Sequence, residues 1–253
     1  MLVVYKNNRW FISNREVSDI DVDKFLGSFE DNRIFLKLAS EGAARGVYAL
    51  KRISGKWTID GQPIGAIAIR ARFEGKSFFF ERQIKQEKFL KSFNPDTVNT
   101  VRVLTLNNGK EMQIVSAAVR FGRKGAFVDN MHAGGLAVSI DIETGRMESF
   151  AGRRFDEKKY YEHPDSHIRF EGEEIPYWKE IEQLVYFCLN ILPQYRSIGF
   201  DIVTTDKGPI VLEVNTGAGM DLAQVGKNEG IASRFGNYIN IARKQNVCYE
   251  NSI

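Results

Sequence analysis

The chain predicts an α+β fold built on antiparallel sheets, and three observations support this. Strand-like runs dominate the first 120 residues, Gly and Asn turn signals separate them, and the clearest helical stripe lies apart from them near residue 180. The runs are Arg33–Lys37, Gly46–Leu50, Ala66–Phe73, Ser77–Glu81, Thr100–Leu106 and Gln113–Phe121. Turns are expected at Gly42–Gly46, Gly55, Gly61, Gly75 and Asn107–Gly109. A helix is expected over Tyr177–Leu192, where Ile181, Leu184, Val185, Cys188, Leu189 and Leu192 repeat at three- and four-residue steps. Pro176 suits its first turn and Pro193 stops it. Further helices are expected over Asp21–Phe29 and Asn228–Arg243.

At 253 residues the chain can form one domain or two closely packed lobes. The net charge of +3 tolerates an anionic ligand but gives no case for a nucleic-acid surface. No window reaches the roughly 18–20 apolar residues of a membrane helix, and the apolar N-terminal run is too short for a signal peptide. Cys188 and Cys248 lie far apart, which suggests neither a disulfide framework nor a zinc site. Cys188, on the apolar stripe, reads as core, and a cytoplasmic setting is the default.

The most informative stretch is Ile198–Gly219, IGFDIVTTDKGPIVLEVNTGAG. Two strand-like runs flank Asp206–Lys207–Gly208, a three-residue hairpin loop. If Thr205 faces Pro209, Asp201 lies directly across from Glu213, and Asn215 projects from the same face as Glu213. The other face, with Phe200, Ile202, Ile210, Leu212 and Val214, is expected to pack on a core. Opposed like charges destabilise a hairpin, so this face reads either as a solvated acidic edge or as an oxygen-ligand site for a hard cation such as Mg²⁺.

Ile34–Leu50 reads strand, loop, strand, with Lys37 at the end of the first strand and Gly42 and Gly46 bracketing a small-residue loop. Such a loop is either an ordinary turn or a polyphosphate cap of backbone N–H groups with a lysine point charge. No GxxxxGK[ST], GxGxxG after a strand, HExxH or GxSxG is present, which excludes the P-loop and Rossmann routes to a nucleotide.

Taken in order, these pieces resemble the ATP-grasp superfamily: a strand lysine with a glycine loop, a later strand ending in Glu, and a final Asp…Glu-x-Asn hairpin. More narrowly, FFFERQIKQ, NTVRVLTL, VRFGRKGAFVDNMHAGGLAVSID and IGFDIVTTDKGPIVLEVNTGAGMDLAQ resemble the sugar-transfer-associated ATP-grasp proteins, relatives of the α-L-glutamate ligases. The resemblance covers most of the chain from Ile34 to Gln224. It implies two α+β lobes with ATP between two antiparallel sheets, a smaller lobe over residues 1–84 and a larger one over 85–253. The usual preceding α/β domain is expected to be absent, reduced or supplied by a partner chain or oligomer, leaving about 30 lead-in residues before the Lys37 strand.

The resemblance further implies that Lys37 contacts the phosphates while Ser40, Gly42 and Gly46 belong to the loop that closes over them. Glu81, Gln83 and Ile84 fall in the linker that reads adenine, and Gln86 or Glu87 reaches the ribose. Asp201, Glu213 and Asn215 hold one or two Mg²⁺ ions, and Asn130 contacts phosphate or metal, or caps its own turn. Arg102 and Arg120 face the transferred phosphate or the acceptor, unless they are ordinary surface arginines. Ile198–Gly199 stands just before Asp201, where peptide-type ligases of this fold often place an arginine, so acceptor activation rests on Arg102 or Arg120. The implied reaction is amide formation from a carboxylate and an amine through an acyl phosphate, in polysaccharide or peptide modification. An ATP-grasp kinase acting on a hydroxyl and a non-catalytic nucleotide-binding remnant are the rival expectations.

Overall fold

A computed structural model of the chain describes residues 3–40, 46–109, 111–126, 129, 131, 134–153, 156–225 and 235–236. Two compact units emerge, Met1–Ile84 and Lys85–Ile253.

Unit 1 carries strands β1 (Val3–Lys6), β2 (Arg9–Ile12), β3 (Arg15–Val17), β4 (Arg33–Leu38), β5 (Val47–Ile53), β6 (Lys56–Ile59), β7 (Gln62–Pro63) and β8 (Phe78–Arg82), with helices α1 (Asp19–Gly27) and α2 (Ala66–Arg72). The strands form one antiparallel sheet in the order β3-β2-β1-β8-β4-β5-β6-β7. Four of its connections are two-residue turns with left-handed backbone at both positions: Asn7–Asn8, Ser13–Asn14, Ser54–Gly55 and Asp60–Gly61. These are type I′ turns, whose twist matches that of the flanking strands, and Asn, Asp and Gly tolerate them best. Strict alternation in β4 buries Ile34, Leu36 and Leu38 and leaves Phe35 and Lys37 on the opposite face. The buried side packs with Phe78, Phe80, Tyr5 and Trp10, beneath Val22 and Leu26 of α1 and Ala66 and Ile69 of α2. Ser18 starts α1 with a capping box, accepting from Asp21 N–H at 3.3 Å while its own N–H donates to Asp21 Oδ2 at 3.0 Å.

One expectation is corrected in this unit. The run Ala66–Phe73 holds helix α2 instead of a strand: Ala66, Ile69 and Phe73 are buried at helical steps, and Ile67 is 65% exposed. At the N-terminus, β1 pairs with β8 through Val3–Phe80 and Tyr5–Phe78 and so extends the sheet.

Unit 2 carries α3 (Lys88–Phe93), β9 (Val101–Asn107), β10 (Met112–Phe121), β11 (Leu136–Ile140), β12 (Met147–Arg153), β13 (Asp156–Tyr160), α4 (Trp178–Ile191), β14 (Ser197–Thr205), β15 (Gly208–Asn215) and α5 (Leu222–Val225). The sheet is antiparallel in the order β13-β12-β11-β10-β9-β14-β15. One face forms the main core, where Val101, Val103, Val119, Phe121, Phe200 and Ile202 meet the buried stripe of α4 (Trp178, Ile181, Val185 and Leu189). Burying each of these aliphatic side chains is worth about 1.5–3 kcal/mol.

The start of α4 differs from expectation. Tyr177 is the N-cap with φ 63°, so Pro176 precedes the helix instead of occupying its first turn. Cys188 packs at the margin of the core, and burial pushes its thiol pKa up, which keeps it protonated. The opposite face of the sheet carries Arg102, Arg120 and Asp201, flanked by small apolar clusters around Leu104, Leu106 and Phe235 and around Met131, Ala137 and Leu222. Apart from Phe235 and Gly236, the helix expected over Asn228–Arg243 lies outside the described residues.

Candidate functional site

The β14–β15 hairpin turns through Asp206–Lys207, with Thr205 facing Gly208 at φ 108°. The loop is therefore one residue shorter than the sequence suggests, and Thr204, not Thr205, faces Pro209. The offset persists to Ile202–Val211, where a bulge at Leu212 adds a residue to β15 and cancels it. Asp201 consequently faces Glu213, and Phe200 faces Val214. Because β15 is an edge strand, Ile210 and Val214 are each 41% exposed, against the expectation of a fully packed face.

On the other side of Asp201, β9 places Arg102 directly opposite it. Glu213, Asp201 and Arg102 thus form one row across three strands, on the sheet face away from the α4 core. Arg102 grips Asp201 with two donors, Nε to Oδ1 and Nη2 to Oδ2, the latter at 3.0 Å. Arg120 adds Nη2 to Asp201 Oδ2 at 3.1 Å. The side chains of Asp201, Arg102 and Arg120 are only 3%, 13% and 12% exposed. Two cations therefore compensate one buried carboxylate, and Arg120 keeps a raised pKa through its carboxylate neighbours Asp129, Asp201 and Glu213 although burial opposes it. Glu213 itself is exposed and Asn215 half-buried, its Nδ2 lying 3.4 Å from Gly199 O. The like-charge opposition read from the sequence is real in register, but arginines supply the compensating charge in this structure.

Gly199 explains how Arg102 fits. A Cβ there would lie 2.5 Å from the Cβ of Ala218 and 3.2 Å from Arg102 Nη1. The missing side chain makes the space through which the guanidinium runs. The sequence places Asp129 in a turn near the site but does not reveal its pairing with Thr100. Asp129 is buried, and its Oδ2 accepts Thr100 N–H at 2.8 Å together with the Thr100 hydroxyl. No local signal points to this, since the partners are 29 residues apart.

The unit 1 candidates have different surroundings. Lys37 Nζ pairs with Glu81 Oε2 at 2.5 Å, across adjacent strands on the face opposite the unit 1 core. Ser40 is exposed beyond β4, and Gly46 has φ 74° and accepts Leu38 N–H at 2.9 Å. Gln83 and Ile84 lie in the half-buried coil after β8. Gln86 is buried, donating to Asn99 O at 2.5 Å and accepting Asn99 N–H at 3.0 Å. Glu87 caps α3 through Phe89 N–H at 2.8 Å. Gly42 and Asn130 lie outside the described residues. Among the described residues no three His, Cys, Asp or Glu side chains cluster as a ready metal cage, and His163 is a buried structural residue bonded to Gly122 O.

Residues 72–240, more than half of the chain, match the family described as sugar-transfer associated ATP-grasp. No curated protein matches the chain in sequence. Among solved structures, D-alanine–D-alanine ligase from Bacillus anthracis aligns with TM-score 0.48 and 13% identity, over 100% of this chain and 64% of that one. D-alanyl-alanine synthetase A from Vibrio cholerae O1 biovar eltor aligns with TM-score 0.46 and 16% identity, over 87% and 51%. A Chryseobacterium gregarium RiPP-associated ATP-grasp ligase, in complex with ADP and a leader and core peptide, aligns with TM-score 0.39 and 7% identity, over 81% and 46%. The chain thus spans less than two thirds of the length of each of these proteins.

Proposed function

Since the chain belongs to the sugar-transfer-associated ATP-grasp family, we propose that it is an ATP-dependent ligase that phosphorylates a carboxylate and joins it to an amine. The observation that carries this reading is the row Glu213–Asp201–Arg102 with Arg120 beside it. Carboxylates and guanidinium groups on one sheet face suit a reaction in which charge moves between phosphate oxygens and little covalent chemistry falls to the protein.

The donor chemistry suits a hard divalent cation, which would have to share the Asp201 oxygens with Arg102 and Arg120. Asp201, Glu213 and Asn215 offer only oxygen atoms, and Glu213 is exposed. Magnesium bound there would neutralise charge on the nucleotide phosphates. Arg102 and Arg120 hold Asp201 in place and present guanidinium charge to the phosphoryl group as a substrate carboxylate attacks it. That attack breaks the bond from the γ-phosphoryl group to ADP, which leaves, and the acyl phosphate so formed is then open to an amine, which displaces inorganic phosphate and leaves an amide. Lys37, in unit 1, is assigned to the nucleotide phosphates, which requires it to exchange its ion pair with Glu81.

Thermal unfolding with a non-hydrolysable ATP analogue, with and without Mg²⁺, tests the nucleotide site. At about 100 times its dissociation constant the ligand adds roughly 2.7 kcal/mol. A Mg²⁺-dependent rise in wild type that weakens in Glu213→Ala is the expected result. The same melting temperature with and without analogue would sink the reading. Product analysis then separates a ligase, which releases inorganic phosphate and amide, from a kinase, which leaves a phosphorylated acceptor.

A further inference from the structure

Asp129 has no part in the chemistry just described, yet it is a carboxylate held at 7% exposure. Its Oδ2 accepts both the backbone N–H and the hydroxyl of Thr100. A hydroxyl has one proton to donate. With that proton directed at Asp129, Thr100 Oγ1 has only lone pairs left, and these face Arg120: Nε lies 2.9 Å away and Nη2 2.5 Å. The same guanidinium reaches Asp129 Oδ2 at 3.4 Å and Asp201 Oδ2 at 3.1 Å. Its Nε and Nη2 are therefore held by three oxygens from three separate residues.

We infer that Asp129 and Thr100 are positioning residues for Arg120, the carboxylate fixing the direction of the threonine hydrogen bond and the pair together pinning the guanidinium against Asp201. This rests on the ligase reading, since Arg120 is the group assigned there to the reacting phosphoryl. Stability alone is a poor reason for the arrangement, because a buried ion pair is commonly no more stabilising than apolar residues of the same volume. Burial also pushes the Asp129 carboxyl above its ordinary pKa, against the pull of Arg120 and Thr100. What the arrangement supplies is direction. An amide at position 129 is an uncharged, weaker acceptor when its oxygen takes the Oδ2 place, and when its NH₂ takes that place it donates to the hydroxyl. The threonine proton then turns toward Arg120 and repels it.

The test uses the full chain with Asp129→Asn, Thr100→Val (shape kept, hydroxyl lost) and Thr100→Ser (hydroxyl kept). Two readouts are taken: kcat and KM for acceptor-free hydrolysis of Mg–ATP, and solvent exchange of the Arg120 Nε–H followed by ¹⁵N NMR. Misplacing Arg120 in Asp129→Asn and Thr100→Val should lower kcat about tenfold or more, leave the KM for ATP within about threefold, and speed Nε–H exchange about tenfold. Thr100→Ser should stay within about twofold of wild type in every readout. A merely structural role would lower stability without this split and without rescue by serine. If Thr100→Val and Asp129→Asn keep both the protected Nε–H and wild-type kcat, the inference is overturned. If wild type itself hydrolyses no ATP without an acceptor, a result the ligase reading allows, Nε–H exchange alone decides whether Asp129 and Thr100 hold Arg120.

Discussion

Asp201 and Glu213 face each other across one hairpin, yet their surroundings predict opposite responses to neutralisation. Asp201 is buried and bonded by two guanidinium groups, so Asp201→Asn takes the countercharge from Arg102 and leaves Arg120 to Asp129 and Thr100. Breaking such a pair from one side costs about 3–5 kcal/mol. Glu213 is exposed, and Glu213→Gln should stay within about 0.5 kcal/mol of wild type. Urea unfolding of the two variants measures this, and equal losses would mean that the arginine clamp on Asp201 contributes nothing. His163 carries the second prediction at this scale. Its Nε2–H donates to Gly122 O at 3.0 Å, and burial lowers its pKa from the usual 6.5. The native state then binds fewer protons than the unfolded one. Its contribution is complete above about pH 6.5 and is lost as pH falls toward the folded value, by at most about 1.4 kcal/mol per pH unit. Asp165, held down to about 2 first by its hydrogen bond with Arg123, loses its contribution only below about pH 4, so the two windows separate. Unfolding free energies at pH 7.5 and 5.5 should therefore differ more in wild type than in His163→Gln; parallel curves would exclude His163 as the source. The candidate residues legible in the sequence were those that spacing along one or two strands brings together, such as Asp201, Glu213 and Asn215. The pairing of Asp129 with Thr100 was not, because it depends on how a loop 29 residues away returns to β9.

Elements were legible where a local pattern determines them and illegible where a distant partner does. The α4 stripe repeats at helical steps over the whole helix, and β4 alternates without exception. AIAIRARF is different, since a short apolar run fits a buried strand as well as a short helix. What decides it is Gly65 at the N-cap and the Ala66 N–H donated to Asp23 Oδ1 at 2.8 Å, a contact 43 residues apart. The β14–β15 hairpin shows how a register can be correct by cancellation: a loop one residue short is offset by a bulge at Leu212. Without that bulge, Glu213 would lose its place opposite Asp201. Gly145 allows an element-scale prediction with its own control. It sits at φ 72°, and an added Cβ would lie 2.6–2.7 Å from Trp178 Cδ1 and Cβ at the start of α4. Gly145→Ala should cost about 2–4 kcal/mol, combining left-handed backbone strain with overpacking. Gly172 has φ 76° but open space around it, so Gly172→Ala should show only the backbone cost of about 1–2 kcal/mol. Chemical denaturation of the two variants gives the difference, and equal losses would show that α4 moves to accommodate the methyl group.

At the scale of the whole molecule, the two apolar cores are drawn from separate stretches of chain. The unit 1 core runs from Val3 to Phe80, and the main unit 2 core from Leu90 to Ile202. Among the described residues each sheet likewise draws its strands from its own unit, all eight strands of one preceding the first strand of the other. A core that closes on itself is what allows a segment to fold alone, although one of this size is marginal. Unit 1 offsets its small size with local structure: four type I′ turns each pair neighbouring strands at low loop-closure cost, and α1 has a capping box. A fragment of residues 1–84 should therefore unfold cooperatively in urea and give dispersed amide resonances, and residues 85–253 should do the same. The smaller fragment should have the shallower urea slope, since the slope grows with the surface exposed on unfolding. If residues 1–84 instead gave collapsed, random-coil resonances while the intact chain stayed folded, the unit 1 core would owe its stability to residues beyond 84. The separation of the two cores along the chain would then describe packing without describing how the protein folds.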